Sequence, residues 1–425
     1  MYKKVKKSKA LQGEIIIPAD KSISHRAVML ASLAEGRTLI TNFSSGADCH
    51  STLELFKKLG VNIKEIEDKT IEIISDGTLQ KPDLPLDCGN SGTTMRLLSG
   101  ILAGQNFDSI LTGDASLSKR PMKRIIDPLS QMGAQIFSTS GYAPLIIKGQ
   151  PLHGIEYTSE LSSAQVKSAI LLAGLKAEGG TVYRESFSSR NHTELMLKYL
   201  GADINFSDGF AEIKPSALSA RDIEIAGDIS SAAFFIAAAL IIPDSHIVIK
   251  NVGLNPTRTG ILDIVLRMGA GVNILNRRTL SGEEIGDIEV SYTDNLKSCE
   301  IKGGDIPRLI DELPVIAVVA SQTDGETVIS NAEDLRNKES DRIECLVREL
   351  CKIGVNIEET PDGFIVHGRT KLEGGAELET YHDHRLAMSF YVAGLICEKD
   401  ILVNGFEWIR ISFPEFDTLM ERLTI

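Results

Sequence analysis

A helical stretch that closes on glycine and runs straight into an alternating, strand-like stretch recurs about every 70 residues along the chain. Five copies read LFKKLGVNI from Leu55, LSQMGAQI from Leu129, LKYLGADI from Leu197, VLRMGAGVNI from Val265 and LCKIGVNI from Leu350; a sixth ends near LMERLTI without its glycine. Glycine just past the last apolar helical position predicts a left-handed helix end, and the alternation behind it predicts a strand. Six polar openings precede apolar helical runs: ADKSISHRAVMLASLA, GNSGTTMRLLSGILAG, LSSAQVKSAILLAGL, GDISSAAFFIAAALI, LIDELPVIAVVA and YHDHRLAMSFYVAG. Each offers Asp, Ser or Asn as a first-turn cap, with Pro314 inside a first turn and Asp383 directly before a helix.

Several of these runs, above all 232–242, are apolar nearly all round, which predicts helices in a domain interior and strands as the outer layer. The chain has 425 residues, beyond the roughly 250 to 300 at which one hydrophobic core stops growing. Two domains of three repeats each is the symmetric division, with crossings near Pro18 and Ala226. It predicts one lobe of 19–226 and another in which 1–18 joins 227–425.

A net charge of −13 argues against a nucleic-acid surface, so an anionic small substrate must meet a local cluster of cations. The run 232–242 is far short of the roughly 20 apolar residues of a membrane helix, and no secretory leader is recognisable, so a cytoplasmic protein is expected. Cys49, Cys88, Cys299, Cys345, Cys351 and Cys397 show no C-x-x-C spacing and are expected to be buried, reduced thiols.

Helix starts offer unpaired N–H groups and the positive end of the helix dipole, so each opening is a potential anion site as well as a cap. In the first, helical spacing puts Ser22, His25 and Arg26 on one face beside Lys21; a solvated basic face has the same spacing. In the second, Asn90 to Arg96 presents small residues at Gly92 and Thr93 and lacks the P-loop pattern. Lys119, Arg120, Lys123 and Arg124 then place four cations within six residues. Ser162, Ser163 and Gln165 open the third helix with neutral donors and acceptors, and Arg190 follows with His192. Later, Asp311 and Glu312 open a helix, and a helix through 338–342 would gather Lys338, Glu339 and Arg342 into a proton-transfer centre, or into an ordinary ion-pair network. His382, Asp383, His384 and Arg385 read as a capped helix start with Arg385 facing a ligand, because two histidines without further ligands make a poor zinc site.

In their order along nearly the whole chain, the segments ADKSISHR, GNSGTTMR, SKRPM, SSAQVKSA, DELPV, LRNKESDRI, DHRLAMS and SFPEF resemble the 5-enolpyruvylshikimate-3-phosphate synthase family. The resemblance implies an α/β (α+β) fold, an inside-out α/β barrel in two domains, each of three βαβαββ units with helices inside, closing on substrates between them. It implies transfer of enolpyruvyl from phosphoenolpyruvate to shikimate 3-phosphate, without metal or organic cofactor, by a monomer. Lys21, Ser22, Arg26, Ser162, Ser163, Gln165, Arg190, Asp311 and Lys338 would hold shikimate 3-phosphate. Lys21, Gly92, Thr93, Arg120, Gln165, Arg342 and Arg385 would hold phosphoenolpyruvate, and Asp311, Glu339 and Lys21 would serve the reaction itself. Three departures lean toward the family's second class: Ala164 with the glutamine one place later, Leu97 in place of proline, and no lysine before Phe413-Pro414. A transferase acting on UDP-N-acetylglucosamine is the alternative, although the loop through SKRPM lacks the cysteine usual there.

Overall fold

The computed structural model describes residues 1–67, 69–160 and 162–425. The chain divides into two compact units, one of 19–225 with 279–283, the other of 1–18, 226–278 and 284–425.

In the first unit the helices are α1 (Lys21–Leu33), α2 (Ala47–Lys58), α3 (Gly92–Ala103), α4 (Lys123–Gln131), α5 (Ala164–Gly174) and α6 (His192–Tyr199). α1, α3 and α5 are buried along nearly their whole length, while α2 and α4 bury one face. Three sheets complete the unit, and two of them share one plan. Strand Glu156–Ser159 runs parallel to Thr181–Glu185, which pairs antiparallel with Phe210–Ile213, itself the return strand of a hairpin from Ile204–Ser207. Along Tyr142–Lys148 in the neighbouring sheet, Leu145 and Ile147 are buried while Ile146 is exposed, the period of two that a half-covered strand requires.

The second unit holds α7 (Ile229–Ile241), α8 (Gly260–Arg267), α9 (Ile306–Leu309), α10 (Leu313–Ala320), α11 (Arg342–Lys352), α12 (His384–Gly394) and α13 (Phe416–Leu423). Every residue of α7 and α10 is buried. Side chains such as Phe234, Phe235 and Leu240 each contribute about 1.5–3 kcal/mol by leaving water. The amino-terminal strands belong to this unit's sheets. Gln12–Ile16 runs parallel to His246–Gly253, and Tyr2–Val5 pairs antiparallel with Ile401–Asn404.

Gly60, Gly133, Gly201, Gly269 and Gly354, the five repeat glycines, all adopt positive φ between 85° and 97°, and each leads into a strand. The described residues form six separate sheets, which together with the buried helices make up the expected α/β architecture. Other expectations need correction. Asp20, Ser91, Asp228 and Asp383 accept the capping bonds of α1, α3, α7 and α12. Among the described residues Ser163 and Glu312 occupy the same position before α5 and α10 without a side-chain capping bond. No helix spans 338–342: a 3₁₀ turn ends at Asn337, and α11 starts at Arg342 behind its cap Asp341. Four of the six free cysteines are buried, but Cys299 is half-buried and Cys351 exposed. No helix among the described residues is long and apolar enough to cross a membrane.

α3 and α5 cross so closely that a Cβ on Gly100 would lie 2.1 Å from the carbonyl oxygen of Ala169. Gly100→Ala must therefore push two interior helices apart, and urea unfolding should show a loss of about 3 kcal/mol or more. A change under about 0.5 kcal/mol would mean that the crossing adjusts freely.

Candidate active site

The amino ends of the first unit's interior helices are knitted by buried polar contacts. His25 Nδ1 lies 2.7 Å from Thr52 Oγ1 of α2, which lies 2.7 Å from Thr94 Oγ1 of α3, and Thr94 also donates to the cap Ser91 at 2.7 Å. His25 therefore does not share an outward face with Ser22; it is fully buried, and desolvation pushes its imidazole down to about 3 from 6.5, so it stays neutral.

Arg26 is also buried and oriented on three sides. Nε donates to Thr193 Oγ1 at 2.7 Å, Nη1 to the Ser22 carbonyl at 2.9 Å and Nη2 to Ser168 Oγ at 2.9 Å. The half-buried Lys21 ammonium sits 2.5 Å from Asp48 in the first turn of α2. Cys49 beside it is inert, since burial pushes its thiol up to about 12.

A second group gathers at the start of α3. Gln165 donates to Thr93 Oγ1 at 3.0 Å and accepts from Arg96 Nη1 at 2.5 Å, while Arg120 donates to Asn90 Oδ1 at 2.8 Å. A Cβ on Gly92 would stand 3.1 Å from Arg96 Nη1 and 3.6 Å from Arg120 Nη1. Two guanidinium groups thus converge over a bare backbone at a helix start, an arrangement suited to a carboxylate or phosphate. Arg96 and Asn90 were not assigned from sequence, although both lie inside the GNSGTTMR segment. Half-buried Ser162 and Ser163 precede α5, and Ser162 Oγ accepts from Phe187 N at 3.2 Å. Arg190, also half-buried, lies in the loop before α6.

In the second unit Arg342 is the centre. Its guanidinium is 2% exposed and binds three carboxylates: Asp383 at 2.7 Å, Glu339 at 2.6 Å and Asp311 at 3.4 Å. Burial opposes its charge, but the three carboxylates prevail and hold its pKa above the ordinary value. Asp383 also accepts the backbone amide of Arg385 at 2.8 Å, so one buried carboxylate both caps α12 and holds the Arg342 side chain. Arg385 Nη1 donates to the Ser230 carbonyl at 3.3 Å and lies 3.9 Å from the buried Glu312. Arg258, unnoticed in the sequence, donates to Asp228 at 3.0 Å and to Ser230 Oγ at 2.7 Å. A lone arginine in NPTRTG carries no pattern that would have marked it. Lys338 pairs with Asp334 at 3.2 Å, four residues back, instead of facing Arg342 across a helix. Among the described residues no group of three or more His, Cys, Asp and Glu side chains is placed to hold a metal ion.

The fold is that of the enolpyruvyl transferases. NikO of Streptomyces tendae, an enolpyruvyl transferase, superposes with a TM-score of 0.81 over 99% of this chain and 96% of its own, at 17% identity, a likeness of fold alone. A sequence model of EPSP synthase (3-phosphoshikimate 1-carboxyvinyltransferase) matches residues 5–420, and the chain belongs to that family. An EPSP synthase structure from Acinetobacter baumannii is similar at 42% identity and a TM-score of 0.89, covering 100% of this chain and 98% of that one. Proteins named 3-phosphoshikimate 1-carboxyvinyltransferase are 50% identical in Thermodesulfovibrio yellowstonii, over 100% of both chains, and 49% identical in Geotalea uraniireducens, over 99% of both.

A neutral buried imidazole ties stability to pH. Below pH 6.5 the unfolded chain binds a proton that the folded His25 refuses until about pH 3, so folding weakens as pH falls through that window. Urea titrations between pH 6.5 and 4.5 should show His25→Leu lacking about 1.4 kcal/mol per pH unit of the wild-type slope. Equal slopes would mean that the folded protein protonates His25.

Proposed function

We propose that the chain joins phosphoenolpyruvate to the 5-hydroxyl of shikimate 3-phosphate and releases phosphate, and that the residues of both clusters serve this reaction. The family supports the reaction. The geometry that carries the residue roles is the buried Arg342 guanidinium holding Asp311 and Glu339 together at 3.4 and 2.6 Å. A proton must leave the 5-hydroxyl as its oxygen bonds to C2 of phosphoenolpyruvate, and another must arrive at C3, which becomes a methyl group. Collapse reverses the second transfer: C3 loses a proton, the bond from C2 to the phosphate oxygen breaks and the enol ether forms. Two carboxylates fixed on one cation suit that pair of transfers.

Lys21, Ser22, Arg26, Ser162, Ser163, Gln165, Arg190, Asp311 and Lys338 bind shikimate 3-phosphate. Phosphoenolpyruvate is held by Lys21, Gly92, Thr93, Arg120, Gln165, Arg342 and Arg385, with Arg96 beside them. Lys21 also serves at the reacting centre. Arginines and helix starts supply the charge stabilisation, so neither metal nor organic cofactor enters the scheme. On this reading the protein acts as a cytoplasmic monomer.

Phosphate should appear when shikimate 3-phosphate and phosphoenolpyruvate are supplied together and not with either alone; turnover with UDP-N-acetylglucosamine instead would overturn the reading. Glu339→Gln keeps the acceptor to Arg342 but cannot exchange the proton, so kcat should fall about 10²- to 10⁴-fold with both substrates still bound. Lost binding with intact chemistry would contradict its role. Arg385→Ala should raise KM for phosphoenolpyruvate by about tenfold or more and leave that for shikimate 3-phosphate within about twofold. Equal rises in both would remove Arg385 from the phosphoenolpyruvate side.

A further inference from the structure

We propose that Lys167, Glu185 and Glu194 are positioning residues that set Arg190 for the phosphate of shikimate 3-phosphate; this rests on the role given to Arg190 above. All three are buried in the first unit. The Lys167 ammonium lies 3.0 Å from Glu185 Oε1 and 2.9 Å from Glu194 Oε1, and donates to the Ser189 carbonyl at 3.0 Å. Glu185 Oε1 in turn accepts from the Ser189 amide at 2.7 Å and from its hydroxyl at 2.9 Å. Tyr183, whose phenol burial keeps protonated, donates to Glu185 Oε2 at 3.4 Å. The amide, carbonyl and hydroxyl of one loop residue are therefore all held by a single ion cluster, and Arg190 is the next residue.

The chain is equally fixed on the other side of Arg190. α6 starts at His192, whose Nδ1 lies 2.7 Å from the buried Glu283, and Thr193 Oγ1 bonds both Arg26 and Ser168. Lys167 belongs to the first turns of α5, its amide donating to the Ser163 carbonyl at 3.0 Å. One lysine thus couples the helix start carrying Ser163 and Gln165 to the loop carrying Arg190. Buried ion clusters contribute little to folding compared with well-packed apolar side chains of the same volume, so stability alone gives no reason for three charges here. Fixing a flexible arginine before the substrate arrives lowers the entropy lost on binding.

The test is a double-mutant cycle read by steady-state kinetics in both substrates. Lys167→Met should raise KM for shikimate 3-phosphate about tenfold, with KM for phosphoenolpyruvate within about twofold and kcat within about threefold. Arg190→Ala should raise the same constant at least as much, and adding Lys167→Met to it should change nothing beyond about twofold. Equal rises in both backgrounds, or lost activity with both KM values unchanged, would mean a merely structural cluster and overturn the proposal. If Lys167→Met does not fold, Ser189→Ala removes one bond without stranding a charge. It should raise KM for shikimate 3-phosphate about two- to threefold, and only while Arg190 is present; no rise overturns the proposal. Failure of the wild type to release phosphate from the two substrates would instead sink the proposed function, and an unchanged KM in Arg190→Ala would sink the role of Arg190.

Discussion

An apolar helix buried along its whole length must still satisfy the N–H groups of its first turn, and in this protein that requirement decides where the buried cations gather. α1, α3, α7 and α12 cannot end in a hydrocarbon core, so their amino ends are carried to polar ground by Asp20, Ser91, Asp228 and Asp383. Once polar groups must be there, adding cations costs less than it would elsewhere in the interior, because caps, hydroxyls and helix dipoles already make the region polar. The buried arginines Arg26, Arg258 and Arg342 all sit at such ends, each with at least two oxygen partners.

The repeat makes much of this legible in the sequence. Five glycines at helix ends, six polar openings and all-apolar runs such as 232–242 carry local information, and local information survives translation into structure: positive φ at each glycine, helices where the openings predict them, strands behind. What failed was also local in appearance. The spacing of Lys338, Glu339 and Arg342 fits a helix, yet Asp341 is a better first-turn cap than any interior helical residue, and α11 starts behind it. His25 falls on the face of Ser22 and Arg26 by spacing, but the wheel does not say that α2 brings Thr52 across to cover that face.

The residues that sequence did not reveal are those whose meaning depends on a distant partner. Arg258 is one arginine in a turn until Asp228 and Ser230, some thirty positions back, are set against it. Arg96 looks like an ordinary helical residue until Gln165 reaches it from α5. Asp48 lies in a helix that carries none of the recognisable segments, yet its carboxylate holds Lys21 at 2.5 Å. Such pairings are set by how the repeats pack, and periodicity along one chain contains only the rule for a single repeat.

The key cations are matched by carboxylates of the chain itself: Lys21 with Asp48, Arg342 with Asp311, Glu339 and Asp383, Arg258 with Asp228. On the proposed reading this pairing is part of the chemistry. Phosphoenolpyruvate brings negative charge to Arg342, and the substrate anion and the Asp311 and Glu339 carboxylates then compete for one guanidinium. Asp383 is the deepest of the three, capping α12 and bonded to Arg385, so it stays. On that reading the cation that orients the two carboxylates is also the one that meets the substrate anion, so one guanidinium links binding to proton transfer.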